Sequence, residues 1–238
     1  MTGADIFLPA SMRQTAFVEL VGDAVSFYRL ARDTDSADHS LRCARQSILL
    51  SSLTIECAAN NLLWASAATP ALRNELERLA PLSKMDACLQ FLGKRLDRSR
   101  VEVQWVKELI SARNDYVHPK VATMEAEVGW PEDGGVELLM PLKMPAHFRK
   151  GLNIPKNAQF WGVTASQRVL YCITRFYLYL IDEVIEMDPR ELQATFSTFV
   201  HLDNKPFVAV TGSAGAVLDV YDEGLDYAIY RRMMGRFS

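Results

Sequence analysis

Apolar residues recur every three to four positions along most of the first half of the chain, which is the spacing of amphipathic helices. The pattern predicts helices over residues 11–32, 37–67, 70–80, 83–97 and 99–117. Pro81 and Gly93 separate the middle helices. The last helix stops at Pro119, because the residue before a proline disfavours the α conformation. We therefore expect the first half to be a set of packed helices.

Residues 119–162 break this pattern, because glycine, proline and asparagine become frequent. Val136–Met140 is a candidate short strand, so the segment is predicted to be an irregular insertion with a possible hairpin. A helix is predicted from Thr164 to about Met187, with Thr164 and Gln167 at the spacing of a capping box. Asp188-Pro189 favours the start of another helix, which is predicted to reach about residue 200.

The C-terminal part is predicted to form a hairpin of Phe207–Val210 and Ala216–Val220, followed by a helix over residues 224–236. The fold class is therefore all-α or mostly α, with a loop or hairpin insertion. We expect a helical domain over residues 1–200, with the irregular insertion at 119–162. Residues 201–238 are predicted to be a small C-terminal extension.

Composition narrows the possible functions. The length of 238 residues suits one large domain. The net charge of −3 argues against a general nucleic-acid binder. The four histidines are scattered and the four cysteines form no CxxC pair, so no metal site is expected. Gly212–Gly215 lacks the lysine of a phosphate-binding loop, so no cofactor is expected either. With no signal peptide or apolar spanning run recognised, the default is a cytoplasmic protein with no membrane partner.

The candidate chemistry lies in six consecutive residues, Arg113-Asn114-Asp115-Tyr116-Val117-His118. On a helical wheel, Arg113 falls in the middle of the apolar stripe formed by Val106, Ile110 and Val117. A guanidinium cannot lose its charge there, so it must have a partner.

A second anomaly lies on the long helix at residues 37–67. The apolar face of this helix is predicted from Ile48, Leu49, Leu53, Ala59 and Leu63. Glu56 and Asn60 fall inside that face. We therefore predict that Glu56 faces Arg113, or reaches it through Asn60 and Asn114. The alternative is a buried ion pair that only fixes the register of two helices.

His118 supplies the chemistry. Pro119 ends the helix there, so the chain can turn and bring the imidazole back towards Arg113, with Asn114 placed to orient it. Arg113 could bind a phosphate and stabilise its developing charge, while His118 moves a proton. RNA carries its own nucleophile in the 2′-hydroxyl, so such a metal-free site would favour RNA over DNA. The simplest alternative for His118 is a helix cap favoured by the helix dipole.

The motif resembles that of the HEPN superfamily, helical domains with an arginine, a following polar residue and a histidine four to six residues after the arginine. Here the residues are Arg113, Asn114 and His118, at the end of a helix as in the family. Glu56 and Asn60 resemble the polar residues that many members carry on an earlier long helix. Lys120 stands where one subgroup has a tyrosine, and the insertion and C-terminal tail have no counterpart.

The resemblance covers about residues 37–120 and 163–187, and it implies a HEPN-like up-and-down helical bundle with its core in these residues. It also implies a homodimer in which two motifs form one cleft. Active members are metal-independent endoribonucleases that leave a 2′,3′-cyclic phosphate, in toxin–antitoxin and phage-defence systems. On this hypothesis Arg113 and His118 are catalytic, and Asn114, Glu56 and Asn60 support them. The implied partners are an RNA substrate, a second copy and a possible antitoxin or other regulatory protein.

Two other readings stay open at this stage. The first is a non-catalytic HEPN-like module that binds a protein, a nucleotide or a nucleic acid, and the acidic net charge favours it. The second is an unrelated helical protein in which the motif is accidental. Further phosphate contacts are candidate roles for Lys107, Lys120, Lys143 and Arg149. The aromatic run Phe176–Leu180 is predicted to be core or dimer surface, because stacking platforms are normally set among basic residues.

Overall fold

The helical pattern of the sequence is realised in a computed structural model of the protein. The structure describes residues 10–121, 127–128, 142–143, 147–202, 205–209, 217–218, 222 and 224–235. Its helices are α1 (Phe17–Asp33), α2 (Ala37–Ala65), α3 (Pro70–Leu76), α4 (Pro81–Gln90), α5 (Val101–Val117), α6 (Val163–Leu178), α7 (Pro189–Phe196) and α8 (Ala228–Met233). A π-helical segment, Tyr179–Ile185, continues α6. The prediction of a mostly helical protein is confirmed.

Helix α2 is the centre of the packing, because α1, α4, α5, α6 and α7 all contact it. It begins at Ser36, whose hydroxyl accepts the backbone N–H of His39. Small buried residues let neighbouring helices approach closely on several sides. These are Ala44, Ser47, Ser51, Ala58 and Ala59.

The length and apolar composition of α2 also meet the criteria for a membrane-spanning helix. It is the one such helix in the described ranges. Half of its most apolar stretch is buried inside the protein, as expected for the central helix of a bundle. The composition of α2 is therefore weak evidence for a membrane span.

A three-stranded antiparallel sheet was not predicted. It has the order β1-β4-β5, with β1 (Ser11–Arg13), β4 (Thr198–Leu202) and β5 (Lys205–Ala209). Met12 pairs with Val200, which in turn pairs with Phe207. The helix predicted over residues 11–32 therefore starts only at Phe17, and the helix predicted to reach about residue 200 ends at Phe196.

The C-terminal hairpin was predicted with the wrong partner strand. Residues 207–209 are extended as expected, but they pair with β4 and not with Ala216–Val220. Val217 and Leu218 are helical, while the rest of the predicted second strand and the glycine turn lie outside the described residues. The strand of β4, Thr-Phe-Val-His-Leu, is rich in β-branched and aromatic residues, which favours an extended chain after the helix ends.

Within the insertion, β2 (Glu127–Val128) and β3 (Leu142–Lys143) form an antiparallel pair. The predicted hairpin is therefore present, although the proposed strand Val136–Met140 lies outside the described residues.

The predicted cap of α7 is confirmed, whereas that of α6 is wrong. Asp188 accepts the backbone N–H groups of Arg190 and Glu191, and the Glu191 carboxylate accepts the Asp188 N–H, which completes a capping box. Helix α6 starts one residue before Thr164, with Gly162 as its N-cap, so Thr164 and Gln167 make no capping box. The Gly162 carbonyl accepts the Ser166 N–H at 3.0 Å, which is the first hydrogen bond of the helix.

The core is continuous from α1 to the C-terminal helix. Phe17 packs edge-on against Tyr177 with ring centroids 5.2 Å apart, and Tyr177 packs in the same way against Tyr230 at 6.0 Å. Phe176 and Tyr177 are completely buried, so this part of the aromatic run is core and not a stacking platform. The C-terminal segment thus contributes side chains to the same core as the helices of the first half.

Candidate functional site

The motif lies where the apolar stripe of α5 runs beyond the core. Val106, Leu109 and Ala112 are buried along this stripe. One turn further, Tyr116 and Val117 are 39% and 46% exposed. Arg113 continues the same stripe at this boundary and is half-buried. It therefore lies at the rim of the core, whereas the sequence pattern predicts a position inside the core.

Arg113 has a neutral partner instead of a carboxylate. Its Nη1 donates to Asn114 Oδ1 at 3.0 Å. Within the described chain it forms no ion pair, so the predicted contact with Glu56 does not form. A guanidinium carries five N–H donors, and its partial exposure leaves most of them accessible to a ligand.

His118 ends α5 in a non-helical conformation, with φ −121° and ψ 65°. Its backbone N–H donates to the Asn114 carbonyl at 2.9 Å, and its side chain is exposed. Because the Asn114 side chain binds Arg113, it does not orient the imidazole as predicted. No hydrogen bond to the His118 ring occurs within the described part of the chain, so the ring can reorient towards a substrate.

The opposite side of α5 holds the last part of the insertion. The Glu108 carboxylate accepts the backbone N–H groups of Gly151 and Leu152 at 3.2 and 2.7 Å. One turn further, the guanidinium of Arg149 donates to the Asp115 carboxylate and to Ser111 Oγ. These contacts fix residues 149–152 beside the motif.

Tyr116 adds an aromatic contact on the same end of the helix. Its ring lies 5.9 Å from that of Trp161, with the two planes 30° apart. Trp161 is fully buried and its indole N–H donates to the Pro155 carbonyl at 2.8 Å. One ring of the pair is therefore anchored in the core and the other is partly open to solvent.

The candidate phosphate contacts divide into two groups. Lys107 and Lys120 are exposed and so remain available. Arg149 is only 12% exposed in its side chain and is already paired with Asp115, which lowers its value as a contact to RNA. The side chain of Lys143 lies outside the described residues.

Glu56 and Asn60 occupy a different place from the predicted one. They belong to the outer stripe of α2, a row of residues at helical spacing whose exposed members are Arg42, Gln46, Glu56, Asn60 and Trp64. Leu49 and Leu53 lie in the same row between Gln46 and Glu56 and are only half-buried. The predicted apolar face was wrong because it included these two leucines. Neither polar residue lies inside a buried face.

The outer stripe of α2 ends at a cavity that the sequence did not predict. Glu56 and Asn60 line it together with Arg13 of β1, Arg73 of α3 and Lys84 of α4. Lys84 is almost completely buried, and its ammonium group donates to Asn60 Oδ1. The available sequence signal was a lysine among buried apolar residues of α4, one turn before Cys88.

The cysteines are poor candidates for chemistry. Cys43, Cys88 and Cys172 are buried, and Cys57 is half-buried. Burial raises the pKa of Cys88 to about 11 and that of Cys172 to about 12, so both thiols stay protonated at neutral pH. No group of three or more histidine, cysteine, aspartate or glutamate side chains within the described ranges could hold a metal ion.

Comparisons with known proteins add no relative. No protein-family model, no curated protein and no solved structure matches the chain. The resemblance to the HEPN superfamily therefore rests on the motif and its place at the end of α5.

Proposed function

We propose that the protein is a metal-independent endoribonuclease with Arg113 and His118 as its catalytic residues. The observation that supports this proposal most is the state of Arg113. Its guanidinium is half exposed, held by the neutral Asn114 and free of any carboxylate within the described chain. A cation in this state binds a phosphodiester without first having to break an ion pair.

The proposed reaction uses the nucleophile of RNA. His118 accepts the proton of the 2′-hydroxyl, and the 2′-oxygen attacks the adjacent phosphorus. The bond from phosphorus to the 5′-oxygen breaks, which leaves a 2′,3′-cyclic phosphate. Arg113 stabilises the negative charge on the phosphate oxygens during this step. The departing 5′-oxygen needs a proton from a second acid.

A second copy of the chain would supply that acid. Within one protomer, the Arg113 and His118 side chains share no hydrogen bond. The motif is flanked by exposed apolar residues, Tyr116, Val117 and Val121, which a second protomer could cover. We therefore propose a homodimer in which two motifs share one RNA-binding cleft.

The biological setting is proposed from the resemblance alone. A ribonuclease of this kind would act in a toxin–antitoxin or phage-defence system, where an antitoxin or another protein restrains it. The cytoplasm, where its RNA substrate occurs, is the expected compartment.

The second candidate is a non-catalytic module that binds a protein, a nucleotide or a nucleic acid. Two observations favour it over the enzyme. The net charge is −3, and Arg149, the cation fixed beside the motif, is already neutralised by Asp115. Such a module would keep Arg113 as a phosphate contact without cleaving RNA.

The deciding experiment is RNA cleavage in EDTA by wild type, His118→Ala and a control, His39→Ala. His39 is an exposed histidine outside the motif, in the first turn of α2. Wild type and His39→Ala should both produce cyclic-phosphate ends, and His118→Ala should not, with all three equally folded. Absence of cleavage by the folded wild-type dimer would overturn the enzyme in favour of the binding module.

A further inference from the structure

The cavity at the end of the outer stripe has a volume of about 380 Å³. It opens between α2, α3, α4 and β1, and the residues that line it are distant in sequence from the α5 motif. Its wall carries three cations, Arg13, Arg73 and Lys84. The cavity is large enough for a small metabolite, and Arg113 and His118 do not line it.

Lys84 is the most constrained of the three cations. It is 3% exposed, and its ammonium group has Asn60 Oδ1 as its hydrogen-bond acceptor. An ammonium group carries three donors, so two are left without a protein acceptor in the described chain. Burial of a cation without a counter-charge is unfavourable, so an anion that accepts from the remaining donors would stabilise Lys84.

Arg73 and Arg13 are likewise held by groups other than carboxylates. Arg73 Nε is buried and makes no hydrogen bond to the residues that the structure describes, and among these its Nη2 reaches only the Ala68 carbonyl, at 3.4 Å. The guanidinium of Arg13 lies 4.2 Å from the centre of the Trp64 ring and donates to the carbonyls of Ala194 and Thr195. Both arginines are thus positioned without being neutralised.

Two carboxylates, Glu56 and Glu77, also line the cavity. Neither comes within ion-pair distance of the three cations, so the cationic groups remain uncompensated in the described chain. With three positive and two negative side chains, the lining has a net charge of +1. Trp64, which is 54% exposed, adds an aromatic surface at the edge.

We propose that this cavity binds a small phosphate monoester, with the phosphate on Lys84 and Arg73. A doubly charged phosphate accepts several charge-assisted hydrogen bonds, which matches the free donors of these two side chains. The organic part of the ligand packs towards Trp64 and Arg13. This site is separate from the proposed ribonuclease centre, so a negative result for one proposal leaves the other unaffected.

The test measures binding of inorganic phosphate and of glycerol phosphate by calorimetry at constant ionic strength, with acetate as the comparison anion. Wild type should bind both phosphates saturably and acetate at least tenfold more weakly. Lys84→Met and Arg73→Gln should each weaken phosphate binding at least tenfold. Arg78→Gln, which changes an exposed arginine of the segment after α3, should bind as wild type does.

Two further readouts separate a binding site from a structural lysine. Lys84→Met should raise the melting temperature of the ligand-free protein, because it removes an uncompensated buried charge, and should abolish the rise caused by phosphate. Glu56→Gln should tighten phosphate binding by removing a like charge from the wall. The proposal is overturned if wild type shows no saturable phosphate binding, or if Lys84→Met and Arg73→Gln bind as wild type does.

Discussion

The guanidinium of Arg149 donates to the carboxylate of Asp115 and thereby joins the last part of the insertion to the turn of α5 that carries the motif. The Arg149 side chain is 12% exposed and the Asp115 side chain 67% exposed, so the pair lies half in the protein and half in water. It is one contact by which a change outside the motif can reach the proposed catalytic residues.

We expect Asp115→Ala to destabilise the protein by about 1–2 kcal/mol, because Arg149 loses its charged acceptor while staying mostly buried. Arg149→Met in the same chain should recover part of this loss. Urea unfolding of the two single variants and the double variant measures the coupling. The control is Arg42→Ala, which removes the exposed pair with Asp38 and should cost about 0.5 kcal/mol or less.

Arg113→Ala should leave stability nearly unchanged, within about 0.5–1 kcal/mol, because the side chain is half exposed and loses one hydrogen bond to Asn114. The same variant should lose RNA cleavage if the proposed function is correct. Chemical denaturation and the cleavage assay are run on one preparation. A loss of stability above about 2 kcal/mol would instead identify Arg113 as a structural residue and favour an accidental motif.

The hydroxyls of Ser47 and Ser166 form a fully buried hydrogen bond of 2.7 Å between α2 and α6. Removing one partner leaves the other hydroxyl without its bond, so Ser47→Ala and Ser166→Ala should each cost about 1–3 kcal/mol. The double variant should cost less than the sum of the two, because no hydroxyl remains to be satisfied. Additive losses in urea unfolding would show that this bond does not couple the two helices.

Asp97 predicts a dependence of stability on pH. Its carboxylate accepts the hydroxyl and the backbone N–H of Ser99 at 2.6 and 2.8 Å, and these two hydrogen bonds, the hydroxyl first, lower the pKa of Asp97. Because the folded pKa lies below the unfolded value of about 3.9, the stabilisation is present above that pH. It is lost as the pH falls through the folded pKa.

Ser99→Ala should therefore raise the pKa of Asp97 towards its ordinary value and weaken the protein's resistance to acid. An NMR titration of the Asp97 carboxyl carbon measures the first effect, and unfolding between pH 2 and 5 measures the second. Ser83→Ala, at an exposed position of α4, should change neither. An unchanged Asp97 titration in Ser99→Ala would show that the hydroxyl does not set this pKa.

The helices were predictable because each carries a local signal. The apolar period of α2 and α5, the cap at Asp188 and the stop at Pro119 all act within a few residues of their own position. The pairing of β1 with β4 was missed because these strands meet across the whole chain. Ser11 pairs with His201, and a pairing over that separation leaves no trace in local periodicity. The pairing of β4 with β5 is local, and it was missed because the helix predicted to reach about residue 200 covers part of β4.

The position of the motif at a helix end was predicted, but its contacts were not. Arg113 lies in the last turns of α5 and His118 is the C-cap, where the stop at Pro119 predicts the helix to end. The predicted contact between Arg113 and Glu56 was wrong because it depended on which face α2 turns towards α5. The half-buried leucines of the outer stripe made that stripe look like part of the apolar face. A wheel gives the faces of one helix, whereas partners depend on how several helices are turned towards each other.

The enclosure of α2 sets how freely its sequence can change. Most of its surface is occupied by neighbours, so a substitution there alters a packed contact, while the outer stripe accepts many side chains at little cost. Saturation mutagenesis of α2 should therefore show tolerance at Arg42 and Gln46. Intolerance at Glu56 and Asn60, on the same exposed row, would report selection for the cavity and not for the fold. Substitutions within α2 alone can therefore distinguish selection for the cavity from selection for the fold.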